Sequence, residues 1–124
     1  MIEHYLVDSV PRPAGHYSTA VRAGDFLFIS GQVPREADGS YTPASVAEET
    51  RLTLRNVQRI AEAAGFDLGS VVKVVAYLTS TDDFAEFNAA YAEFFPAAPP
   101  ARTTVAVGLR QVQVEIDATL YVNQ

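Results

Sequence analysis

A predicted amphipathic helix that leads into an apolar strand is the feature that most restricts the fold of this chain. Ser45 and Glu48 have the spacing of an N-terminal capping box, and Gly65 stands where a C-terminal cap belongs. Between these signals apolar residues recur every three or four positions, which predicts a helix over 45–65. The following run, SVVKVVAYLTS, is rich in β-branched residues and predicts a central strand covered on both faces.

Strands precede this helix, and a second helix follows the apolar strand. The runs at about 17–22 and 26–33 are joined by a short loop around Gly24 and predict a β-hairpin. With the helix and the apolar strand, they predict a strand–helix–strand crossover unit. Residues 81–95 begin with capping and acidic side chains and carry aromatic residues at helical spacing, which predicts a second amphipathic helix that ends before Pro96.

One polar residue interrupts the aromatic stripe of the second predicted helix. Asn88 lies about one turn from Phe84 and one turn from Tyr91, so we expect its side chain to face the buried side. A buried amide needs hydrogen-bond partners, either in a neighbouring loop backbone or in a ligand pocket. The pattern alone favours the backbone partner.

Two alternating runs on either side of GLRQ predict a hairpin at the end of the chain. The predicted core face carries Thr103, Val105, Val107, Val112, Val114 and Ile116, and the opposite face carries Arg102, Thr104, Gln113, Glu115 and Asp117. In this register Arg102 lies opposite Asp117 and diagonal to Glu115. Such a patch is a solvated ion pair if it is exposed, or a site for a carboxylate ligand if it is covered.

Composition and charge limit the classes of function. The length of 124 residues, with 48% hydrophobic and 19% charged residues, fits one globular domain spanning 1–124. A net charge of −6 and the absence of a basic run argue against a nucleic acid partner. There is no cysteine and there are two histidines, which disfavours a metal site. No long apolar run or basic leader is visible, so we expect no membrane partner and a cytoplasmic location.

Three motifs resemble the reactive intermediate deaminase family, also called YjgF-like or RidA proteins. The motifs are AGHYSTAVRAGDFLFISGQVP, DFAEFNAAYAEFF and PPARTTVAV followed by VEID, in the family's order and at its separations. The similarity covers nearly the whole chain. It implies an α+β, chorismate-mutase-like fold, a mixed β-sheet with two helices packed on one face. It also implies a homotrimer with a central barrel-like core and clefts between subunits.

The resemblance also implies an activity. Deaminating relatives hydrolyse enamines and imines such as 2-aminoacrylate, 2-iminopropanoate and 2-iminobutanoate to 2-oxo acids and ammonia, without a metal or organic cofactor. By motif, Arg102 would bind the carboxylate of the small-molecule substrate and Glu115 would transfer protons. Tyr17, Gly31 and Asn88 match further pocket positions, and the adjacent subunit would supply Tyr17 and Asn88.

Two positions depart from the family pattern. Thr104 stands where deaminating members often carry cysteine; it keeps a polar group in the substrate pocket and changes the pocket's shape. His16 replaces a proline and is either a surface histidine or a titrating group of the pocket. We expect Asp117 to pair across the trimer interface.

Two alternatives to a broad deaminase stay open. The first is an enzyme with a dedicated substrate, such as a 2-aminomuconate-type deaminase. The second is a non-catalytic trimer that binds small carboxylates or acts as a holdase. The acidic charge makes a ribonuclease the least favoured reading.

Overall fold

The helix predicted over 45–65 is present as α1, Val46–Ala63. The Ser45 hydroxyl accepts a hydrogen bond from the backbone N–H of Glu48 at 3.1 Å, as a helix N-cap does. The Glu48 carboxylate pairs with Arg51 one turn further on. Gly65 follows the helix with φ of +83°, a left-handed conformation that glycine adopts without strain.

The computed structural model describes residues 1–122, and within them one sheet is formed by six strands. The strands are β1 (Ile2–Tyr5), β2 (Ala20–Ala23), β3 (Phe26–Gln32), β4 (Val71–Leu78), β5 (Ala101–Ala106) and β6 (Val114–Tyr121). The second helix is α2 (Phe84–Ala92), which a 3₁₀ turn at Thr81–Asp83 precedes. The hairpin of β2 and β3 is confirmed, and β1, which we did not predict, pairs with β2.

The predicted hairpin at the end of the chain is wrong. The strand order is β1-β2-β3-β6-β4-β5, so β4 separates β5 from β6. Helix α2 returns the chain to the start of β4, and β5 therefore pairs with β4 in parallel. Strand β6 lies between β3 and β4 and is antiparallel to both. The crossover of β3, α1 and β4 is present, with β6 inserted between its two strands.

The helices cover one face of the sheet, and the hydrophobic core lies between them. Its largest fully buried apolar side chains include Leu27, Leu54, Ile60, Leu78, Phe87, Ile116 and Leu120. The predicted α+β class, a mixed sheet with two helices on one face, is confirmed. Within residues 1–122, neither helix combines the length and apolar character that crossing a bilayer requires.

The other face of the sheet, called the open face below, is uncovered in the single chain. Its exposed apolar side chains are Phe26, Phe28, Val105 and Tyr121. The prediction that β4 is covered on both faces is wrong for one chain, because Val74 and Ala76 are buried whereas Val75 and Tyr77 are only half-buried. The alternation of buried and half-buried side chains along β4 therefore indicates that the open face is the one left without a covering layer.

Asn56 of α1 fixes the loop that follows β3. Its side chain is fully buried, and its amide nitrogen donates to the carbonyl oxygens of Val33 at 3.1 Å and Arg35 at 3.0 Å. Its side-chain oxygen accepts a hydrogen bond from Arg59 at 3.0 Å. One buried amide therefore joins the helix layer to a loop at the end of the sheet.

We expect Asn56→Ala to lower the free energy of unfolding by about 1–3 kcal/mol, because it removes a fully buried amide and its hydrogen bonds to the partly buried carbonyl groups of Val33 and Arg35. Urea denaturation at fixed protein concentration measures the change. The control is Arg55→Ala, an exposed substitution on the neighbouring residue, which should change stability by less than about 0.5 kcal/mol. Equal stabilities for the two variants would contradict this role of Asn56.

Candidate functional site

Glu115 lies on the open face, at the centre of the sheet. It stands on β6 beside Tyr77 of β4, and its carboxylate covers Gly31 of β3. A Cβ at Gly31 would lie 2.9 Å from Cδ of Glu115, closer than real Cβ atoms come to other heavy atoms. The pairing of β3 with β6 shifts register between Ile29 and Gln32, where this close approach occurs. The glycine therefore makes room for the carboxylate.

A groove opens in front of this carboxylate. We call it the glutamate groove; Tyr17, Ser30, Gly31, Glu115 and the loop 108–112 form part of its lining. The side chain of Tyr17 is exposed, and its hydroxyl accepts a hydrogen bond from the backbone N–H of Ala14 at 3.2 Å. His16 is exposed and does not line the groove, which agrees with a surface histidine.

The surroundings of Glu115 in the groove favour its protonated form more strongly than bulk water would. Burial raises the pKa of Glu115, and the negative charge of Asp117 raises it further. Tyr77 donates a hydrogen bond to Asp117 at 2.7 Å, and this bond, together with burial, raises the pKa of Tyr77 to about 12. Asp117 therefore has a hydrogen-bond partner within its own chain and does not face Arg102.

Arg102 projects to the opposite face of the sheet, toward α2. It stands on β5 beside Val74, a buried residue of the helix-covered face. Its guanidinium carbon lies 4.6 Å from the ring centre of Tyr91, 5.3 Å from that of Phe87 and 5.7 Å from that of Phe84. These distances are in the range of cation–π contacts. We call Arg102 and these three rings the arginine ledge.

The hydroxyl group of Tyr91 is buried beneath the ledge. Within residues 1–122 it has no hydrogen-bond partner, and burial raises the pKa of Tyr91 while the nearby guanidinium of Arg102 opposes that rise. The sequence predicts Phe84, Phe87 and Tyr91 only as the apolar face of α2. In the structure they also contact Arg102. Their spacing of three and four residues is the signal that could have indicated this second role.

The structure contradicts the predicted patch of Arg102 and Glu115. The two residues lie on opposite faces because β5 pairs with β4 in a register that puts Arg102 beside Val74, while Glu115 lies beside Tyr77. The predicted core residues Thr103 and Val105 consequently lie on the open face. Val112, Val114 and Ile116 are buried as predicted.

The remaining predicted site residues divide between the two faces. Thr104 is half-buried and shares its face of β5 with Arg102. Asn88 lies on α2, but its side chain is exposed, so the prediction that it faces the core is wrong. In the single chain, Tyr17 lines the same groove as Glu115.

Tyr77, the neighbour of Glu115 on the open face, is one residue that the sequence analysis missed. Its hydroxyl group is the one side-chain polar group at the end of the apolar run VVAYL, and the alternation of β4 turns it away from the core. That position could have indicated a functional face. Within residues 1–122, no three histidine, aspartate or glutamate side chains cluster as metal ligands would.

Comparison with known proteins gives concordant results. The family model described as endoribonuclease L-PSP matches residues 7–122. A RutC family protein of Pyrococcus horikoshii is 41% identical over 98% of this chain and 98% of its own. The crystal structure of RidA from an Antarctic Psychrobacter is 32% identical, with a TM-score of 0.91 over 97% and 99% of the two chains. That of Escherichia coli TdcF with bound serine is 33% identical, with a TM-score of 0.92 over 98% and 99%.

The raised pKa of Glu115 predicts a pH-dependent effect on stability. A carboxyl group that binds its proton more tightly in the folded chain contributes stability below its unfolded pKa of about 4.3, and this contribution is lost as the pH rises through the folded value. We therefore expect Glu115→Gln to exceed the wild type in free energy of unfolding at pH 7, with a difference that shrinks toward pH 4.

Urea denaturation across this pH range measures the difference. The matched control is Glu36→Gln, which removes an exposed loop carboxylate and should not show the same trend with pH. A Glu115→Gln protein that is less stable than the wild type at pH 7, or that shows a constant difference, would contradict the assignment.

Proposed function

The chain belongs to the endoribonuclease L-PSP family, the family of the RidA, YjgF and RutC proteins, and we propose that it hydrolyses enamines and imines of 2-amino acids to 2-oxo acids and ammonia. The observation that carries the proposal is the Glu115 carboxylate. It is half-buried, lies in an open groove and has a raised pKa. A carboxylate with these properties suits proton transfer near neutral pH.

Arg102 supplies the group that binds the substrate. Its guanidinium is held over three aromatic rings, and both ion pairs in the described part of the chain are made by Arg51. Arg102 thus keeps its charge available although the chain carries 15 acidic residues. A guanidinium binds a carboxylate through two parallel hydrogen bonds, which would orient the adjacent imine carbon. The relative TdcF is described with bound serine, an amino acid with such a carboxylate.

The proposed reaction uses Glu115 as both base and acid. An enamine first takes a proton on its β-carbon and becomes the imine protonated on nitrogen. Glu115 then removes a proton from water as the water oxygen bonds to the imine carbon, and the carbinolamine forms. Glu115 returns that proton to the nitrogen and then takes the proton of the carbinolamine hydroxyl group as the carbon–oxygen double bond forms and the carbon–nitrogen bond breaks. Ammonia leaves, the 2-oxo acid remains, and Glu115 releases its proton to solvent. Tyr17 and Thr104 provide hydroxyl groups for orienting the substrate.

A complete site requires a second copy of the chain. Arg102 and Glu115 lie on opposite faces of one sheet, and the open face exposes the apolar side chains of Phe26, Phe28 and Tyr121. Exposed apolar patches of this kind mark interfaces. We propose a homotrimer whose open faces form a barrel-like core, with the arginine ledge of one subunit completing the glutamate groove of the next. Asn88 would then come with Arg102, and Gly31 with Glu115.

A ribonuclease activity, which the description of the family model names, is less well supported by this chain. Its net charge of −6 opposes binding of a polyanionic backbone. The arginine ledge and the glutamate groove instead provide one cation and one acid–base group, which suits a small carboxylate. We therefore propose the small-molecule reaction.

The test is the release of 2-oxo acid from 2-iminopropanoate, generated from D-alanine by D-amino-acid oxidase in the presence of catalase. We expect the wild type to accelerate release above the uncatalysed rate. Glu115→Gln should lower kcat about 10²–10⁴-fold, the usual contribution of general acid–base catalysis. Arg102→Ala should act mainly through a higher KM, because it removes a charge-assisted contact to the carboxylate.

Arg55→Ala is the matched control for Arg102→Ala, since it removes an exposed arginine from α1. Size-exclusion chromatography of every variant establishes that the assembly is intact. If the intact wild-type assembly releases 2-oxo acid no faster than buffer, the proposed reaction is wrong.

A further inference from the structure

Three arginines contribute to the lining of the glutamate groove. Arg12, Arg35 and Arg110 line the groove together with Glu115, and they come from three separate loops of the chain. They are three of only nine lysine and arginine residues in the sequence. In a chain of net charge −6, such a local concentration of positive charge is unexpected for a merely solvated surface.

None of the three guanidinium groups is neutralised by a carboxylate within residues 1–122, where Arg51 makes both ion pairs. Arg12 and Arg110 are exposed and donate no hydrogen bond in this part of the chain. A neighbouring hollow that shares Arg12 is lined by Asp8 and Asp38, but neither acid forms an ion pair with it. The positive charge of the groove is therefore available to a ligand.

Arg35 is held in place by neutral acceptors only. It donates to the side-chain oxygen of Gln111 at 2.6 Å and to the carbonyl oxygen of Gly39 at 3.2 Å, and its guanidinium lies over the ring of Tyr41. Its backbone carbonyl accepts from Asn56, so the buried amide described above also anchors this residue. These contacts orient the guanidinium without reducing its charge.

The loop that carries Arg110 adopts a conformation unusual for its sequence. Gln111 has φ of 69° and is the only non-glycine residue with positive φ in the described chain. Residues other than glycine rarely adopt this backbone conformation. Strain of this kind is concentrated at functional sites. Here the conformation accompanies the hydrogen bond from Arg35 to Gln111, which joins two of the arginine-bearing loops.

We propose that Arg12, Arg35 and Arg110 form a subsite for a second carboxylate of the substrate, so that the preferred substrates are imines of dicarboxylic amino acids. The inference rests on the proposed function. The second carboxylate would thus bind in the groove that also contains Glu115, and the first carboxylate would bind at Arg102 of the neighbouring subunit. Guanidinium groups bind carboxylates through paired hydrogen bonds, and three of them offset the repulsion between a dianion and the acidic chain.

The kinetic test compares substrates with one and with two carboxylates. D-aspartate oxidase generates iminosuccinate from D-aspartate and 2-iminoglutarate from D-glutamate, and 2-iminopropanoate is generated from D-alanine as above. We expect kcat/KM for at least one diacid to exceed that for 2-iminopropanoate by about tenfold or more, through a lower KM. In the double variant Arg12→Gln/Arg110→Gln, this preference should fall by about tenfold.

The double variant replaces exposed residues without structural hydrogen bonds, so it should fold normally. Arg55→Gln, which removes a positive charge outside the groove, is the control and should retain the preference for diacids. Turnover of 2-iminopropanoate without any preference for a diacid would overturn the subsite and leave the proposed function standing. No turnover of any imine would contradict the proposed function itself.

A binding experiment tests the subsite without turnover. In calorimetric titrations, the wild type should bind 2-oxoglutarate about tenfold or more tightly than 2-oxobutanoate, and the double variant should lose this difference. Equal affinities in the wild type would overturn the subsite. Titration with inorganic phosphate separates a general anion site from a substrate subsite: phosphate that displaces 2-oxoglutarate and binds more tightly would overturn the proposal.

Discussion

The insertion of β6 between the parallel strands β3 and β4 determines on which face of the sheet Glu115 and Arg102 lie. Strand β6 forms backbone ladders on both sides and buries Val114, Ile116, Ala118 and Leu120 against the helices. Because side chains alternate along a strand, Glu115 and Asp117 must then project from the open face. Because β6 occupies one side of β4, β5 pairs with the other side of β4 and forms the edge of the sheet. The separation of Arg102 from Glu115 follows from this topology.

This separation makes the proposed chemistry a property of the assembly. One chain holds a proton-transfer group over Gly31, and on its other face it holds a cation over aromatic rings. In the proposed mechanism, neither group alone would both bind and hydrolyse an imine. A neighbouring copy would cover the apolar open face and at the same time bring the missing arginine to the groove. Stability and activity would thus depend on the same interface.

Local signals predicted the elements of this fold well. The capping residue Ser45, the apolar periodicity of α1 and the β-branched run of β4 specify their structures through nearby residues. The aromatic spacing of α2 was equally informative, although the exposure of Asn88 was not predicted. These features are decided by hydrogen bonds and packing within one or two turns, which sequence patterns record.

The pairing of distant strands was not predicted, and the site depended on it. Alternation around Gly108 suggested a hairpin, but a helical crossover delivers β5 to β4 and the chain then passes over β4 to form β6. Period-two patterns indicate which residues share a face of one strand and do not identify the neighbouring strand. The resemblance implies roles for Arg102 and Glu115, whereas only the structure shows that they lie on opposite faces of one chain's sheet.

Hybrid assemblies of two impaired variants, assayed at substrate concentrations below the KM of Arg102→Ala, test this account most directly. Arg102→Ala and Glu115→Gln subunits carrying different affinity tags are coexpressed, and tandem purification retains trimers that contain both. In any such trimer one of the three interfaces joins an intact Arg102 to an intact Glu115, so activity should return to about a third of the wild-type value. Hybrids no more active than the parent variants under these conditions would contradict a site shared between neighbouring subunits.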